Sequence, residues 1–299
     1  MSVFKNKRIL IIGSNGFIGG HLCRRLSALS DNVKTLDLTS SDYIGDVSDR
    51  KIVLDIFKEF NPEYVFHLAA FKERTSTIES FYDAIKINLI GTLNVLSSAK
   101  NISGLKKIIV MGTAEEYGFN LTPFYEGQRE NPVTAYSFSK VCSSYLCSLI
   151  NSIYGLPVVV LRPSIAYGPG QNVDMFIPSL ISNLILDKNF DMTDGEQTRD
   201  FIYIDDLIAA MLKSAENDGL NGEIINIGTC EPIKIKELAL KIESMLNKKS
   251  LIKIGAREYR NLEIMEYFVD NSKAKKILNW KPETSLDEGL RKTIDYYKR

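Results

Sequence analysis

The chain has 299 residues, 44% hydrophobic and 25% charged, enough for one large α/β unit with a subordinate lobe and a full core. Lys+Arg and Asp+Glu both number 37, so no basic face is demanded and nucleic acid is a poor partner. No apolar run approaches the roughly 20 residues of a membrane span, and the polar start MSVFKNKR lacks the apolar segment of a signal peptide, so a cytoplasmic protein is expected.

Cys23, Cys142, Cys147 and Cys230 show no C-x-x-C pairing, and only two histidines are present. Reduced thiols and no Cys/His metal site are the expectation. His21 and His67 lie in apolar contexts that suit structural roles.

The apolar run Ile9 to Ile12 reads as a fully buried strand. It stops at Gly13, and Gly16 and Gly19 follow at G-x-x-G-x-x-G spacing. Phe17, Ile18, Leu22, Leu26 and Leu29 recur at helical spacing. Strand, glycine turn and helix together form a dinucleotide cradle. Gly13 lets the chain turn, Gly16 keeps side chains away from a phosphate, and Gly19 lets the helix pack close on the strand. The N–H groups at the helix start then face a pyrophosphate. Val33 to Leu36 is the second strand. Asp37 closes it where a ribose would lie, and its charge repels a 2′-phosphate, so NAD(H) is favoured while NADP(H) stays open.

Asp46 and Val47 fall in a short polar loop before a helix from about Asp49 to Phe60. Tyr64 to Leu68 is a third strand ended by Ala69-Ala70, small residues that admit a cofactor at a parallel sheet's carboxyl edge. Phe71, Lys72, Glu73 and Arg74 follow in the loop over that edge. Ser80 to Lys100 reads as one long helix with Asn88 in its middle. Asn is mildly unfavourable there, so a bridging role is one reading. Lys107 to Met111 is the next strand and runs into Gly112 to Gly118. A helix spans Tyr136 to Tyr154, and a strand Val158 to Leu161. Six strand–helix alternations predict a Rossmann-like, doubly wound parallel sheet.

Beyond Pro163 the rhythm breaks, and Pro178 is expected to interrupt the next helix. A strand at Phe201 to Ile204, a helix from Asp205, a strand at Ile224 to Ile227 and a helix from Lys234 predict a smaller mixed α/β lobe. The expected division is residues 1–165 for the dinucleotide and 166–299 for a substrate lobe interleaved with the sheet.

Tyr136 and Lys140 stand one helical turn apart, on one face. A lysine ammonium near a phenol lowers the phenol's pKa, and a tuned phenol can exchange a proton with a sugar hydroxyl. Thr113, at the end of a neighbouring strand, can hydrogen-bond the same oxygen. Arg199 and Arg260 are candidates for a diphosphate, by the preference of arginine for phosphate; an ion pair between Arg199 and Asp200 is the plainer alternative.

GSNGFIG, Asp37, HLAA at 67–70, Thr113, YSFSK at 136–140 and RPSIAYGPG at 162–170 resemble the extended short-chain dehydrogenase/reductases, and within them the nucleotide-sugar epimerase/dehydratase branch. The resemblance implies Tyr136 as acid/base, Lys140 on the nicotinamide ribose and Thr113 as hydroxyl partner, with Glu115 matching a further catalytic acid. It implies cofactor contacts at Gly13, Asn15, Gly16, Phe17, Ile18, Gly19, Asp37, Asp46, Val47, Leu68, Ala69, Ala70, Asn88, Pro163 and Ile165. It implies nucleotide-sugar contacts at Lys72, Glu115, Asn172, Arg199 and Arg260, and a homodimer built on the 80–100 and 136–154 helices.

The reaction turns on the loop from Thr113 to Tyr117. Dehydratases carry an acid or hydroxyl and then Glu after the Thr; Glu115 matches, Ala114 does not. GTAEEYG, TDGEQTRDFIYIDD and REYRNLEIM resemble reductases of NDP-4-keto-6-deoxyhexoses, which is the expected activity. A 4-epimerase that recycles retained NAD suits Asp37 better and is the alternative, with the 4,6-dehydratase beside it. A non-catalytic NAD-binding protein on the same fold is the reading from another class.

Overall fold

The computed structural model describes residues 2–73 and 77–298; Arg74 of the sheet-edge loop lies outside the described residues. The amino-terminal part runs β1 (Ile9–Ile12), α1 (Phe17–Ser27), β2 (Val33–Asp37), β3 (Tyr43–Ile44), α2 (Arg50–Phe60) and β4 (Tyr64–His67). A long helix follows in three parts: α3 (Ile78–Ala84), a π-helical stretch (Ile85–Ile90) and α4 (Gly91–Ala99). Then come β5 (Lys107–Met111), a 3-10 turn (Ala114–Tyr117), α5 (Ala135–Tyr154) and β6 (Val158–Pro163).

The carboxyl-terminal part contains β7 (Ile165–Tyr167), α6 (Phe176–Ile185), β8 (Phe190–Asp191), β9 (Thr198–Arg199), β10 (Phe201–Tyr203) and α7 (Ile204–Glu216). It continues through β11 (Ile224–Ile227), β12 (Ile233–Lys234), α8 (Ile235–Met245), β13 (Ile252–Lys253), α9 (Ser272–Leu278) and α10 (Leu286–Tyr297).

Seven strands form one parallel sheet in the order β11-β6-β5-β4-β1-β2-β3. Successive residues of a strand point to opposite faces, and here both faces are covered. Ile9 and Ile11 pack with Leu22 and Leu26 of α1 and Leu207 and Met211 of α7. Leu10 and Ile12 pack with Val53 and Phe57 of α2, Val95 and Leu96 of α4, and Cys147 of α5. That two-sided burial is why the strands read as unbroken apolar runs. The fold is the Rossmann-like α/β class expected.

The lobe is built of two-stranded pieces: β7 with β10, β9 with β12, and β8 with β13. Two local expectations are corrected, and two short elements are added. Pro178 does not interrupt α6: it sits in the helix's first turn, where its missing N–H leaves no bond unmade. The short strand β3 and the 3-10 turn at Ala114–Tyr117 are additions with too few residues to show a period. The expected single helix over 80–100 is broken in type at Asn88, as described below.

Candidate active site

The opening turn is shaped by close approach. Gly13 has φ +90, and a Cβ there would lie 2.5 Å from the Ala69 nitrogen; at Gly19 it would lie 2.1 Å from the Gly13 carbonyl oxygen. Gly16 differs: a Cβ would meet only the Gly13 oxygen, at 3.5 Å. Gly16 caps α1 without a side-chain acceptor, so Phe17 and Ile18 open the helix with no side chain over its first N–H groups. Leu68 and Ala69 donate their N–H groups to the Ile12 carbonyl (2.8 and 3.0 Å), which draws the Leu68–Ala69–Ala70 edge against the turn.

Asp37 ends β2 beside this turn. Its carboxylate accepts the Asn15 N–H (2.8 Å) and the Leu38 N–H (2.7 Å), while the Asn15 carboxamide donates to the Thr39 carbonyl. Asp46 accepts from the Ser48 N–H (2.8 Å) and has Lys86 4.0 Å away. The Val47 carbonyl accepts from the Asn94 side chain (3.0 Å). β6 ends at Pro163, and the Ile165 N–H donates to the Asp200 carbonyl (3.0 Å). The Ser14 and Ser164 hydroxyls are buried and lack a hydrogen-bond partner among the described residues. A glycine cradle with open room at Gly16, a carboxylate at the second strand's end and unsatisfied hydroxyls at the sheet edge fit a dinucleotide.

Thr113 follows β5 and caps the 3-10 turn. Its Oγ1 accepts the Glu115 N–H (3.2 Å), and Glu116 Oε1 accepts the Thr113 N–H (3.0 Å). Tyr136, in the first turn of α5, is buried. Burial pushes its phenol up to about 12, against the lowering effects of Lys72 and Thr113. The expectation that Lys140 lowers this phenol is therefore corrected. Lys140 Nζ lies 5.9 Å from the Tyr136 ring centre and donates to the Met111 carbonyl (2.7 Å), its stem reaching past the ring to the end of β5. The cation acting on Tyr136 is Lys72, 5.1 Å from the ring centre and paired with Glu115 at 3.0 Å. Burial also lowers Lys140 to about 8, with the Glu116 carboxylate holding it up.

Asn88 does bridge. Its Oδ1 accepts the Phe71 N–H (2.8 Å), and its Nδ2 donates to the Phe71 carbonyl (2.9 Å) and to Ser139 Oγ (2.8 Å). One carboxamide thus fixes the loop carrying Lys72 to the helix carrying Tyr136.

Behind Thr113 lies a network that the sequence reading missed. Arg162 is fully buried between Glu116 (2.6 Å) and Glu130 (2.6 Å) and donates to the Tyr117 hydroxyl (3.0 Å). Glu116 also accepts from Ser144 (2.8 Å). A buried cation between two carboxylates is satisfied only as a set, and a charged residue directly after Glu115 was the available signal.

Between sheet and lobe runs a cleft of about 560 Å³, with Lys72, Glu115, Ile165, Arg199, Arg260 and Glu263 among its walls. Arg199 is paired with Glu263 and donates to the Thr198 (2.7 Å) and Ile264 (2.8 Å) carbonyls. Its partner is not Asp200, which is buried and accepts from Thr229 and Cys230. Arg260 is exposed on the cleft wall. Asn172 does not line the cleft: it is exposed, and its side chain accepts the Asp174 N–H (2.9 Å) in a local turn. Tyr267, absent from the expected set, is buried and lies 5.8 Å from the Arg199 guanidinium.

A doubly wound parallel sheet with a glycine turn that fits a dinucleotide, and Thr113, Tyr136 and Lys140 near its carboxyl edge, defines a Rossmann-type scaffold. Residues 9–228 match the model of the NAD-dependent epimerase/dehydratase family, and the chain belongs to that family. It is 33% identical over 262 residues to a UDP-glucuronate 4-epimerase of Thermodesulfobacterium geofontis, covering 86% of this chain and 79% of that protein. It is 29% identical over 330 residues to the dTDP-glucose 4,6-dehydratase of Haemophilus influenzae, covering 97% of each. Among solved structures it is similar to the UDP-glucuronic acid 4-epimerase of Bacillus cereus in complex with UDP-glucuronic acid and NAD. There the TM-score is 0.88 at 29% identity, over 97% of this chain and 99% of that one.

Proposed function

We propose that the protein is an NDP-sugar 4-epimerase with tightly held NAD, a uridine diphosphate hexose or hexuronate being the favoured substrate. The motif-based expectation of a 4-keto-6-deoxyhexose reductase gives way to this reading. The observation that carries it is the state of the loop after Thr113. Glu115 is committed to Lys72 at 3.0 Å, and Ala114 carries no proton. A 4,6-dehydratase needs a second acid/base to expel water from carbon 6; a 4-epimerase needs one phenol that takes a proton and returns it. The relatives that act at carbon 4 of UDP-glucuronate agree in direction, and the carboxylate of Asp37 favours NAD over its 2′-phosphorylated form.

In this reading residues 1–165 hold the cofactor and 166–299 the nucleotide sugar. Gly13, Gly16, Gly19 and the start of α1 receive the pyrophosphate, Asp37 the ribose, and Asp46 and Val47 the adenine side. When bound, NAD supplies a ring that accepts a hydride from a carbinol carbon and gives it back. Tyr136 exchanges the proton of the sugar hydroxyl, Thr113 orients that hydroxyl, and Lys140 holds the cofactor ribose. Arg260 and the half-buried Arg199 face the diphosphate. Two copies associate through the exposed apolar side chains of the 78–99 and 135–154 helices, among them Tyr82, Tyr145, Leu149 and Ile153.

The test is incubation of the purified protein, without added cofactor, with UDP-glucose, UDP-glucuronate and dTDP-glucose, followed by NMR of the sugar. Inversion at carbon 4 with no net change in bound nicotinamide is expected. A 4-keto-6-deoxy product would establish the dehydratase. Stoichiometric oxidation of added NADH or NADPH by an NDP-4-keto-6-deoxyhexose would establish the reductase.

A further inference from the structure

We propose that Glu116 is a positioning residue for the reaction: its buried carboxylate ties the main chain of Thr113 to α5 and to β6, and so holds the Thr113 hydroxyl in register with Tyr136 and Lys140. The proposal rests on the reading of Tyr136 as the acid/base and of Thr113 as the residue that orients the sugar hydroxyl.

The strip Met111–Gly112–Thr113 is gripped at each residue. The Met111 carbonyl accepts from Lys140 Nζ (2.7 Å), the Gly112 N–H donates to the Leu161 carbonyl (2.7 Å), and the Thr113 N–H donates to Glu116 Oε1 (3.0 Å). Gly112 makes room for that carboxylate: a Cβ there would lie 2.7 Å from Oε1. The other oxygen, Oε2, accepts from the Ser144 hydroxyl (2.8 Å) and from Arg162 through Nε (2.9 Å) and Nη2 (2.6 Å). Glu116, Ser144 and Arg162 are all buried. Ser144 stands one helical turn beyond Lys140 and two beyond Tyr136, on the face of α5 that carries both. Arg162 follows Leu161 on β6 and is itself fixed by Glu130 (2.6 Å) and the Tyr117 hydroxyl (3.0 Å). One carboxylate thus joins the end of β5, the helix of the acid/base and the next strand.

The position calls for a carboxylate. Both ends of the group must accept, and an ionised carboxylate has an acceptor at each end and no donor. A carboxamide of the same shape presents its NH2 either to the Thr113 N–H or to Arg162, and each choice sets donor against donor. The charge is tolerated in a buried place because Arg162 pairs with it there. Thr113 Oγ1 accepts the Glu115 N–H (3.2 Å), so the hydroxyl moves with the strip that Glu116 holds. A misplacement of about 1 Å in a reacting geometry costs up to about a hundredfold in rate.

Glu116→Gln tests this in the holoenzyme. We expect kcat for carbon 4 inversion to fall about tenfold with KM for the UDP-sugar little changed. Values are compared on the plateau of kcat against pH, because the lost charge also bears on Lys140, which Glu116 holds up, and that effect falls on the alkaline limb. The deciding measurement is the same change in a Thr113→Val background, read in single turnovers so that slow variants stay measurable. There it should cost less than about twofold more in rate, while the loss of melting temperature from the broken network persists in both backgrounds. A rate penalty undiminished without the Thr113 hydroxyl overturns the proposal, as does an unchanged plateau in Glu116→Gln itself. If Glu116→Gln does not fold, Ser144→Ala decides. It keeps the charge and the Thr113 bond and frees the carboxylate from α5. Its plateau kcat should fall about threefold with the alkaline limb unmoved; no fall, or a fall that persists in Thr113→Val, overturns the proposal. Tyr136→Phe and Thr113→Val are the controls. Full activity in either overturns the reading of that residue, whereas loss in both beside an undiminished penalty overturns this proposal alone.

Discussion

At Gly16 there is room for a methyl group in the protein itself, whereas at Gly19 the same methyl would lie 2.1 Å from a carbonyl oxygen. Gly16→Ala should therefore fold, losing at most about 1 kcal/mol from a poorer helix cap, and yet come off the column without nicotinamide, because only the pyrophosphate needs that space. Absorbance of the heat-released cofactor beside a thermal melt checks this; full retention of NAD would remove Gly16 from the cradle. His67 offers a pH signature. Its ring is buried, bonded at Nε2 to Thr92 (3.1 Å), and burial followed by the Lys140 charge drives it down to about 3 from 6.5. The unfolded chain then binds the extra proton below pH 6.5 and the folded one does not. His67 thus favours folding fully above 6.5, and its contribution, on the order of a few kcal/mol, is lost as pH falls from 6.5 toward 3. Urea midpoints measured down to about pH 4 should fall steeply in the parent and less in His67→Gln.

The helix over 78–99 changes its winding around Asn88. The Gly91 N–H reaches back five residues to the Lys86 carbonyl. The Asn88 carbonyl accepts the hydroxyls of Thr92 (2.5 Å) and Ser143 (2.9 Å), which fixes the widened turn to α5. Asn88→Ala strips Phe71 of both its bonds and should cost about 2–3 kcal/mol. Turnover of the UDP-sugar should drop further than stability, since the Lys72–Glu115 pair rides on that loop; equal losses, read from urea melts and initial rates, would make Asn88 a packing residue only. Unbroken apolar runs exposed β1, β4, β5 and β6, because two-sided burial writes itself into consecutive residues, and a period of 3.6 exposed the helices between them. A π-turn leaves no period, and Pro178 misled because a helix start and a helix break use the same residue. Thr113, Tyr136 and Lys140 were legible because each motif is local. The Arg199 partner Glu263, 64 positions away, and Tyr267 were not, since their meeting depends on how the lobe folds back.

For the molecule as a whole, Tyr145, Leu149 and Ile153 are exposed apolar side chains on α5. A surface of that kind calls for a partner, and a second copy is the occupant proposed above. Leu149→Glu with Ile153→Glu should turn a dimer into a monomer in light scattering; a parent that is monomeric at tens of micromolar would refute the association. The sheet, meanwhile, is not finished where its dinucleotide half ends. β6 has β11 as its outer neighbour, and the Val160 and Ser164 N–H groups donate to the carbonyls of Glu223 and Ile227. On the ribosome the β11-facing edge of β6 must wait for about 60 further residues, several seconds at ordinary elongation speeds. During that interval the nascent chain offers a sticky apolar ribbon to any passing strand. A holding chaperone should therefore be captured best on chains in which residue 163 has cleared the exit tunnel and residue 224 has not, and released once residue 227 has cleared it.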